Sequence, residues 1–218
     1  MTENTSCRIC KTPSAIFLEE KRTFYKCPVC SLIFTNETAS QEEAEKHYKG
    51  QWTPGKDAFW SKQCTEILNI LNQYGLNKEN RILDFGAGSG EITRGLQQRG
   101  YNVTPLEPMM DGYLKDQNYQ EPFDVIIAVE VIEHLLNPYD EFREMEKVLS
   151  ERGILFFTTL MTNPMMGQPN EKEIFSSWWY KNDPTHVSFF CNNALFKMAE
   201  ILKCEVNIFG DQVFTLYR

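Results

Sequence analysis

Along residues 81–217 short, dense apolar runs alternate with longer segments in which apolar side chains recur every three or four positions. The runs at 81–85, 103–106, 123–131 and 154–160 predict strands. The third is apolar at every position except Asp124 and Glu130, as in a strand buried on both faces. Helical spacing appears at 58–74, 91–99, 137–149 and 192–202. Trp60, Cys64, Ile67, Leu68, Leu71 and Tyr74 share a face of the first helix, which Gly75 stops, and Tyr139, Phe142, Met145 and Leu149 share a face of the third. Strands at 205–209 and 213–217 flank Gly210-Asp211, a link too short for a parallel crossover, so these two pair antiparallel. Strands alternating with helices imply an α/β fold, a mostly parallel sheet covered on both sides. Upstream, 16–18 and 23–25 read as a small hairpin with a polar turn at 19–22. A charged helical connector at 41–49 and a break at Thr53-Pro54-Gly55 follow. The chain therefore divides into a small unit, 1–40, and a large one, 41–218.

Composition narrows the class. At 42% hydrophobic and 24% charged over 218 residues, the chain has the make-up of a globular protein and excludes disordered and fibrous classes. No apolar stretch approaches the roughly 20 residues of a membrane span, so no membrane partner is expected. The first ten residues lack the basic start and apolar run of a secretory signal, and the expected location is the cytoplasm. The net charge of −8 is unevenly placed: residues 1–40 carry five basic side chains against four acidic, which leaves −9 on the remainder. A nucleic-acid partner usually requires a basic face, and the large unit offers none.

The seven cysteines change the reading of the first unit. Cys7-x2-Cys10 and Cys27-x2-Cys30 have the spacing of two thiolate knuckles carried on a hairpin. Two such knuckles complete a tetrahedron around Zn2+ with four protein ligands, which makes the ion structural. A unit of about 40 residues buries too little apolar surface to fold alone, so the metal supplies its folding free energy. Cys64, Cys191 and Cys204 stand singly among apolar residues and read as core.

A second concentration of chemistry is the junction between the first predicted strand of the large unit and its helix, Asp84-Phe85-Gly86-Ala87-Gly88-Ser89-Gly90. Glycines there allow a tight turn and close approach of the backbone to a ligand at a helix N-terminus. Glu107 ends the next strand, where a carboxylate can accept both hydrogen bonds of a ribose diol. An adenosine-bearing cofactor in the crevice at the strand ends follows. The nicotinamide fingerprint would place its third glycine at position 91, which is Glu, and Asp84 so close to the loop would repel a pyrophosphate. The loop suits a cationic ligand.

With LDFGAGSGEIT at 83–93, PLEP at 105–108, FDVIIAVEVIEHL at 123–135, GILFFTT at 153–159 and DPTHVSFF at 183–190, the chain resembles the class I S-adenosylmethionine-dependent methyltransferases, in particular the ubiquinone-biosynthesis-like subgroup, over most of 57–218. The resemblance implies a Rossmann-like, seven-stranded, mostly parallel sheet whose last strand is antiparallel, with helices at 41–76 covering the cofactor site. It implies S-adenosylmethionine as cofactor, bound by Asp84, Gly86, Ala87 and Gly88 at the methionine end and by Glu107 and Pro108 at the ribose. Glu130 and Val131 would lie beside the sulfonium. Only residues 108–122 separate Glu107 from Phe123, so the usual helix and third strand are compressed, and the adenine contact of an acid in that region falls to Asp116.

Methyl transfer needs an in-line acceptor and, for a hydroxyl, a base. His186 and His134 are the candidates, since imidazole titrates near neutrality; His47 reads as a solvated helix residue. Met161, Met165, Met166, Phe175, Trp178, Trp179, Tyr180, Phe189 and Phe190 follow the fifth strand, where an acceptor pocket is expected, with Trp52 and Trp60 closing the other side. The alternative reading is that half of these residues pack beneath a long loop. The leading expectation is an enzyme that methylates a small molecule. The second is an RNA- or protein-modifying methyltransferase whose ribbon recognises the macromolecule, and the third an inactive zinc-dependent adaptor. The acceptor atom and the oligomeric state are not legible.

Overall fold

A computed structural model describes residues 5–40, 42–44 and 57–218. Most of the connector at 41–49, the break at 53–55, His47 and Trp52 lie outside the described residues. The first unit contributes β1 (Thr5–Ser6), β2 (Pro13–Glu19), β3 (Thr23–Lys26) and β4 (Ile33–Phe34). The second contributes α1 (Asp57–Leu71), β5 (Arg81–Phe85), α2 (Glu91–Gln98), β6 (Asn102–Leu106), the single turn α3 (Pro108–Asp111) and β7 (Phe123–Val129). It continues through α4 (Pro138–Val148), β8 (Leu149–Thr158), α5 (Glu171–Ser177), β9 (Ser188–Phe189), α6 (Asn192–Leu202), β10 (Glu205–Phe209) and β11 (Val213–Tyr217).

The main sheet runs β10-β11-β8-β7-β5-β6. β6, β5, β7 and β8 are parallel neighbours, whereas β11 is antiparallel to both β8 and β10. Strand alternation builds a core on each face. Ile82, Val125, Ile127, Ile154 and Phe156 point to one side, where α1 and α2 cover them with Cys64, Ile67, Leu71, Ile92 and Leu96. Leu83, Phe85, Ile126, Ala128, Leu155 and Phe157 point to the other, against Phe142 and Met145 of α4 and Leu195 and Met198 of α6.

The resemblance implied seven strands, and the described residues form six. Residues 107–122 hold α3 and a second tight turn, Leu114–Asp116, and no strand. A further parallel strand needs a crossover of a dozen or more residues on each side, which this length of chain cannot supply. β6 therefore forms the sheet edge, and Pro105 within it fits that exposed position.

The second sheet, β1-β2-β3-β4-β9, holds a surprise in its last member. β9 comes from the large unit and pairs antiparallel with β4, Ile33 opposite Phe189 and Phe34 opposite Ser188. Beneath it a third core joins Phe17, Phe24 and Ile33 to Met165, Phe175, Tyr180 and Phe189. Phe175 stands edge-on to Phe24 at 5.1 Å and to Phe189 at 5.4 Å.

Phe157 is fully buried, stacked on Phe214 at 4.9 Å and edge-on to Phe142 at 4.8 Å. Phe157→Ala is expected to cost about 3–5 kcal/mol of stability in urea denaturation. Phe196, 53% exposed on α6, should lose no more than about 0.5 kcal/mol as Phe196→Ala. Equal losses would mean that the face of the sheet next to β11 is not the core.

Candidate functional site

The parallel strands β5, β6, β7 and β8 deliver their carboxyl ends to one edge of the sheet, and a cavity of about 480 Å³ opens there. Its wall includes Asp84, Gly86, Ala87, Gly88, Glu107 and Pro108 on one side and Glu130, Val131, His134, Tyr180 and His186 on the other. Trp60 of α1 and Trp179 complete it.

The glycine turn is shaped by backbone bonds and one close approach. The Gly86 and Ala87 amides both donate to the Leu106 carbonyl, at 2.8 and 3.2 Å, which ties β5 to β6 where each ends. Gly86 has φ +74°, and a Cβ there would lie 2.5 Å from Cγ2 of Val131, so only glycine fits. Asp84 is buried and accepts from the Thr93 hydroxyl at 2.6 Å. Burial pushes its carboxyl up to about 6. Glu107 caps α3, accepting from the amides of Gly88 at 2.8 Å and Met109 at 3.2 Å. Its own amide donates to Asp111 at 2.8 Å. The carboxylate is thus held by backbone groups at the cavity wall, and each oxygen keeps lone pairs for a ligand.

On the opposite wall Glu130 has φ +53°, a left-handed conformation in which a non-glycine residue is strained. It persists because the Glu130 amide donates to the Thr158 carbonyl and the Thr158 hydroxyl donates to the Glu130 carboxylate at 2.9 Å. The Tyr180 hydroxyl bridges Glu130, at 3.1 Å, and Glu133, through a very short bond. Burial, then the charge of Glu133, pushes Glu130 up to about 7, and burial pushes the wholly buried Glu133 to about 7 as well. The two carboxyls titrate as a pair that keeps a proton near neutrality. Burial, then the negative field of the two acids, raises Tyr180 well above its ordinary value, so it remains a phenol. Oε2 of Glu133 has no hydrogen-bond partner among the described residues.

The histidines meet beside this pair. Their rings lie edge to face at 4.7 Å. Nδ1 of His186 lies 2.8 Å from the Tyr180 carbonyl and Nδ1 of His134 lies 3.2 Å from the Thr185 carbonyl. A carbonyl can only accept, so Nδ1 carries the proton in each and Nε2 of the neutral ring is the basic nitrogen. Burial, reinforced by His134, lowers His186 to about 4. An oxygen of Glu133 and a nitrogen from each histidine lie within 4.8 Å of one another, so the polar groups form one compact cluster.

The remaining expectations divide. Asp116 is not brought to the cavity wall: it is exposed at the end of a turn anchored by its buried residue, Leu114. Of the aromatic and methionine stretch, Trp179 and Tyr180 line the cavity, whereas Met165, Phe175, Trp178 and Phe189 pack into or against the core beneath the N-terminal sheet. Glu133 was missed, and Tyr180 was expected as part of an aromatic acceptor wall but not as the bridge between two acids. The E-x-x-E-H run at 130–134 could have flagged Glu133, but no local signal marks the contact of Tyr180 with the pair, which it reaches only through the fold.

At the other end of the N-terminal sheet the four knuckle cysteines converge with their sulfurs within 4.8 Å of one another. Cys7 and Cys30 approach to 3.5 Å and Cys10 and Cys27 to 3.4 Å. Accepting from Cys30 lowers the Cys7 thiol, and the same bond raises Cys30.

The Methyltransferase domain family model matches residues 58–202. A ubiquinone biosynthesis O-methyltransferase of Histophilus somni is 28% identical over 147 residues, 55% of this chain and 62% of the relative, so the chain spans less than two thirds of that protein. An uncharacterized methyltransferase of Staphylococcus carnosus is 24% identical over 179 residues, 71% of this chain and 79% of its own. Among solved structures, the plantazolicin methyltransferase BpumL in complex with SAH superposes with a TM-score of 0.55 over 83% of this chain and 91% of that one, at 12% identity, a likeness of fold.

In the unfolded chain His186 titrates at its ordinary 6.5, in the fold at about 4. Between these values the unfolded state binds more protons, so this contribution to stability is present above pH 6.5 and is lost as pH falls toward 4. Asp84, Glu130 and Glu133, raised in the fold, act in the opposite sense, so His186 is isolated by difference. Between about pH 7.5 and pH 5 the wild type should lose roughly 2 kcal/mol more than His186→Gln in urea titrations. Parallel losses would show that His186 is not held neutral.

Proposed function

The chain belongs to the methyltransferase domain family, and we propose that it transfers the methyl group of S-adenosylmethionine to an acidic hydroxyl on a planar small molecule. The observation that carries this is a single cavity whose one wall is the glycine turn with Glu107 and whose other wall is the histidine pair with Trp179 and Tyr180. The donor set fits the cofactor. Asp84 would face its cationic methionine end, Gly86, Ala87 and Gly88 admit it closely, Glu107 and Pro108 hold the ribose, and Glu130 and Val131 flank the reacting centre.

The cofactor supplies an already activated methyl group, so the protein's part is to align the acceptor and take its proton. Nε2 of His186 is the base in this reading, with Nδ1 anchored on the Tyr180 carbonyl. A base held as low as about 4 has little driving force toward an alkyl alcohol and more toward a phenol, whose pKa lies near 10. His134, against its ring, and the proton-holding Glu130–Glu133 pair offer the proton a way out of the site. The acidic balance of the large unit supports a small acceptor over RNA.

We also propose that Cys7, Cys10, Cys27 and Cys30 hold a structural Zn2+. A tetrahedron with bonds of about 2.3 Å has sulfur–sulfur edges of about 3.8 Å, close to the 3.4–3.9 Å contacts among these sulfurs.

Calorimetric titration with S-adenosylhomocysteine should show saturable binding and titration with NAD none. Glu107→Ala should weaken the former by about 2–3 kcal/mol through loss of paired hydrogen bonds to a charged acceptor. Unchanged affinity would remove Glu107 from the ribose, and binding of NAD alone would end the methyltransferase reading. Cys27→Ser should lower metal content from about one zinc per chain. Retention of the ion would sink the ribbon assignment.

A further inference from the structure

The segment that carries His186 is not supported by the large unit alone. Between Tyr180 and Phe189 it is bonded along its length to the N-terminal sheet, and two arginines of that sheet make most of the bonds. Arg22, in the turn between β2 and β3, donates to the carbonyls of Asp183 and His186, both at 2.9 Å, and through a very short bond to the carbonyl of Lys181. Its guanidinium lies 5.2 Å from the Phe24 ring. Arg8, buried between Cys7 and Ile9, donates to the Val187 carbonyl at 3.0 Å, to the Ser188 hydroxyl at 2.9 Å and to the Thr35 carbonyl within its own unit. Glu20, also in the turn, receives Lys181 at 2.7 Å.

Geometry gives Arg22 a particular task. His186 is oriented by the Tyr180 carbonyl, and Arg22 grips the peptide carbonyls of Lys181 and of His186 itself, one at each end of the intervening loop. A planar fork with five donors can bridge carbonyls that diverge in this way, and a lysine ammonium, a point donor on a flexible stem, cannot hold the same set. We propose that Arg22 is a positioning residue for methyl transfer: it sets the span from Tyr180 to His186 and so fixes the acceptor-side wall of the cavity. The N-terminal unit is then a brace for the active site, anchored by its cysteine cluster at one end and by Arg22 at the other. This rests on the reading in which His186 faces the methyl acceptor, and it assigns the ribbon a role that needs no macromolecular partner.

The test compares zinc-loaded full-length wild type, Arg22→Ala and Arg22→Lys. Hydrogen exchange followed by mass spectrometry should show amides of 181–187 exchanging roughly tenfold or more faster in Arg22→Ala, with protection across 84–91 unchanged and S-adenosylhomocysteine bound within about twofold of wild type. Methylguanidinium added to Arg22→Ala should restore protection of 181–187, a rescue that a general loss of packing would not show, and Arg22→Lys should remain exchange-prone. The imidazole nitrogen spectrum of His186, one tautomer in the wild type, should become a mixture in Arg22→Ala. Unaltered exchange at 181–187, or exchange raised throughout the chain without rescue by methylguanidinium, would overturn the proposal. Absence of S-adenosylhomocysteine binding in the wild type would instead overturn the function reading, while the exchange comparison still decides whether Arg22 holds the loop.

Discussion

Parallel pairing of β5, β6, β7 and β8 is the constraint on which the rest of the structure depends. Parallel strands must all end on the same edge, and their two-sided burial needs helices on both faces, so every turn that leaves a carboxyl end is free to bear a functional group. Asp84, Glu107 and Glu130 stand at three such ends, and Thr158, at the fourth, braces Glu130. Their convergence follows from topology, because these residues share no local segment of chain.

The same edge explains why the small unit is not an independent appendage. After β8 the chain must return to α6, and residues 159–191 do so over the cavity without a helix long enough to bury its own apolar side chains. Phe175, Trp178, Tyr180 and Phe189 find their cover in Phe17, Phe24 and Ile33 of the N-terminal hairpin. Each side completes the other. A hairpin that could not fold on its own apolar surface acquires a second core, and a long return segment acquires a sheet to pair with.

Much of this was legible in the chain. Strong apolar runs at 123–131 and 154–160 located the buried strands, because strands covered on both sides leave no polar period to confuse them. The glycine turn and the two cysteine pairs were legible because their chemistry needs fixed spacings. Short strands were not: β1, β4 and β9 have two residues each, too few for any period, and β9 exists only because β4 lies beside it. Asp116, whose expected contact was carried over from a longer connection, does not line the cavity. Tyr180 was read as part of an aromatic wall, while its function in the structure lies in its hydroxyl, which bridges two acids distant in sequence.

The arrangement of charge favours the cationic ligand proposed for this edge. Asp84 and Glu130 are both raised by burial, and Glu107 shares their cavity. Three acids around one small volume repel a diphosphate and each other, and protonation or a cation relieves that repulsion. A ligand that brings an ammonium and a sulfonium relieves it at both walls and gains from the negative field built by the strand ends. His186 cannot take that part, since burial keeps it neutral and its Nδ1 proton is committed to a backbone carbonyl. In the proposed reaction the positive charge comes from the ligand, and a neutral His186 imidazole is what such a reaction needs to accept a proton.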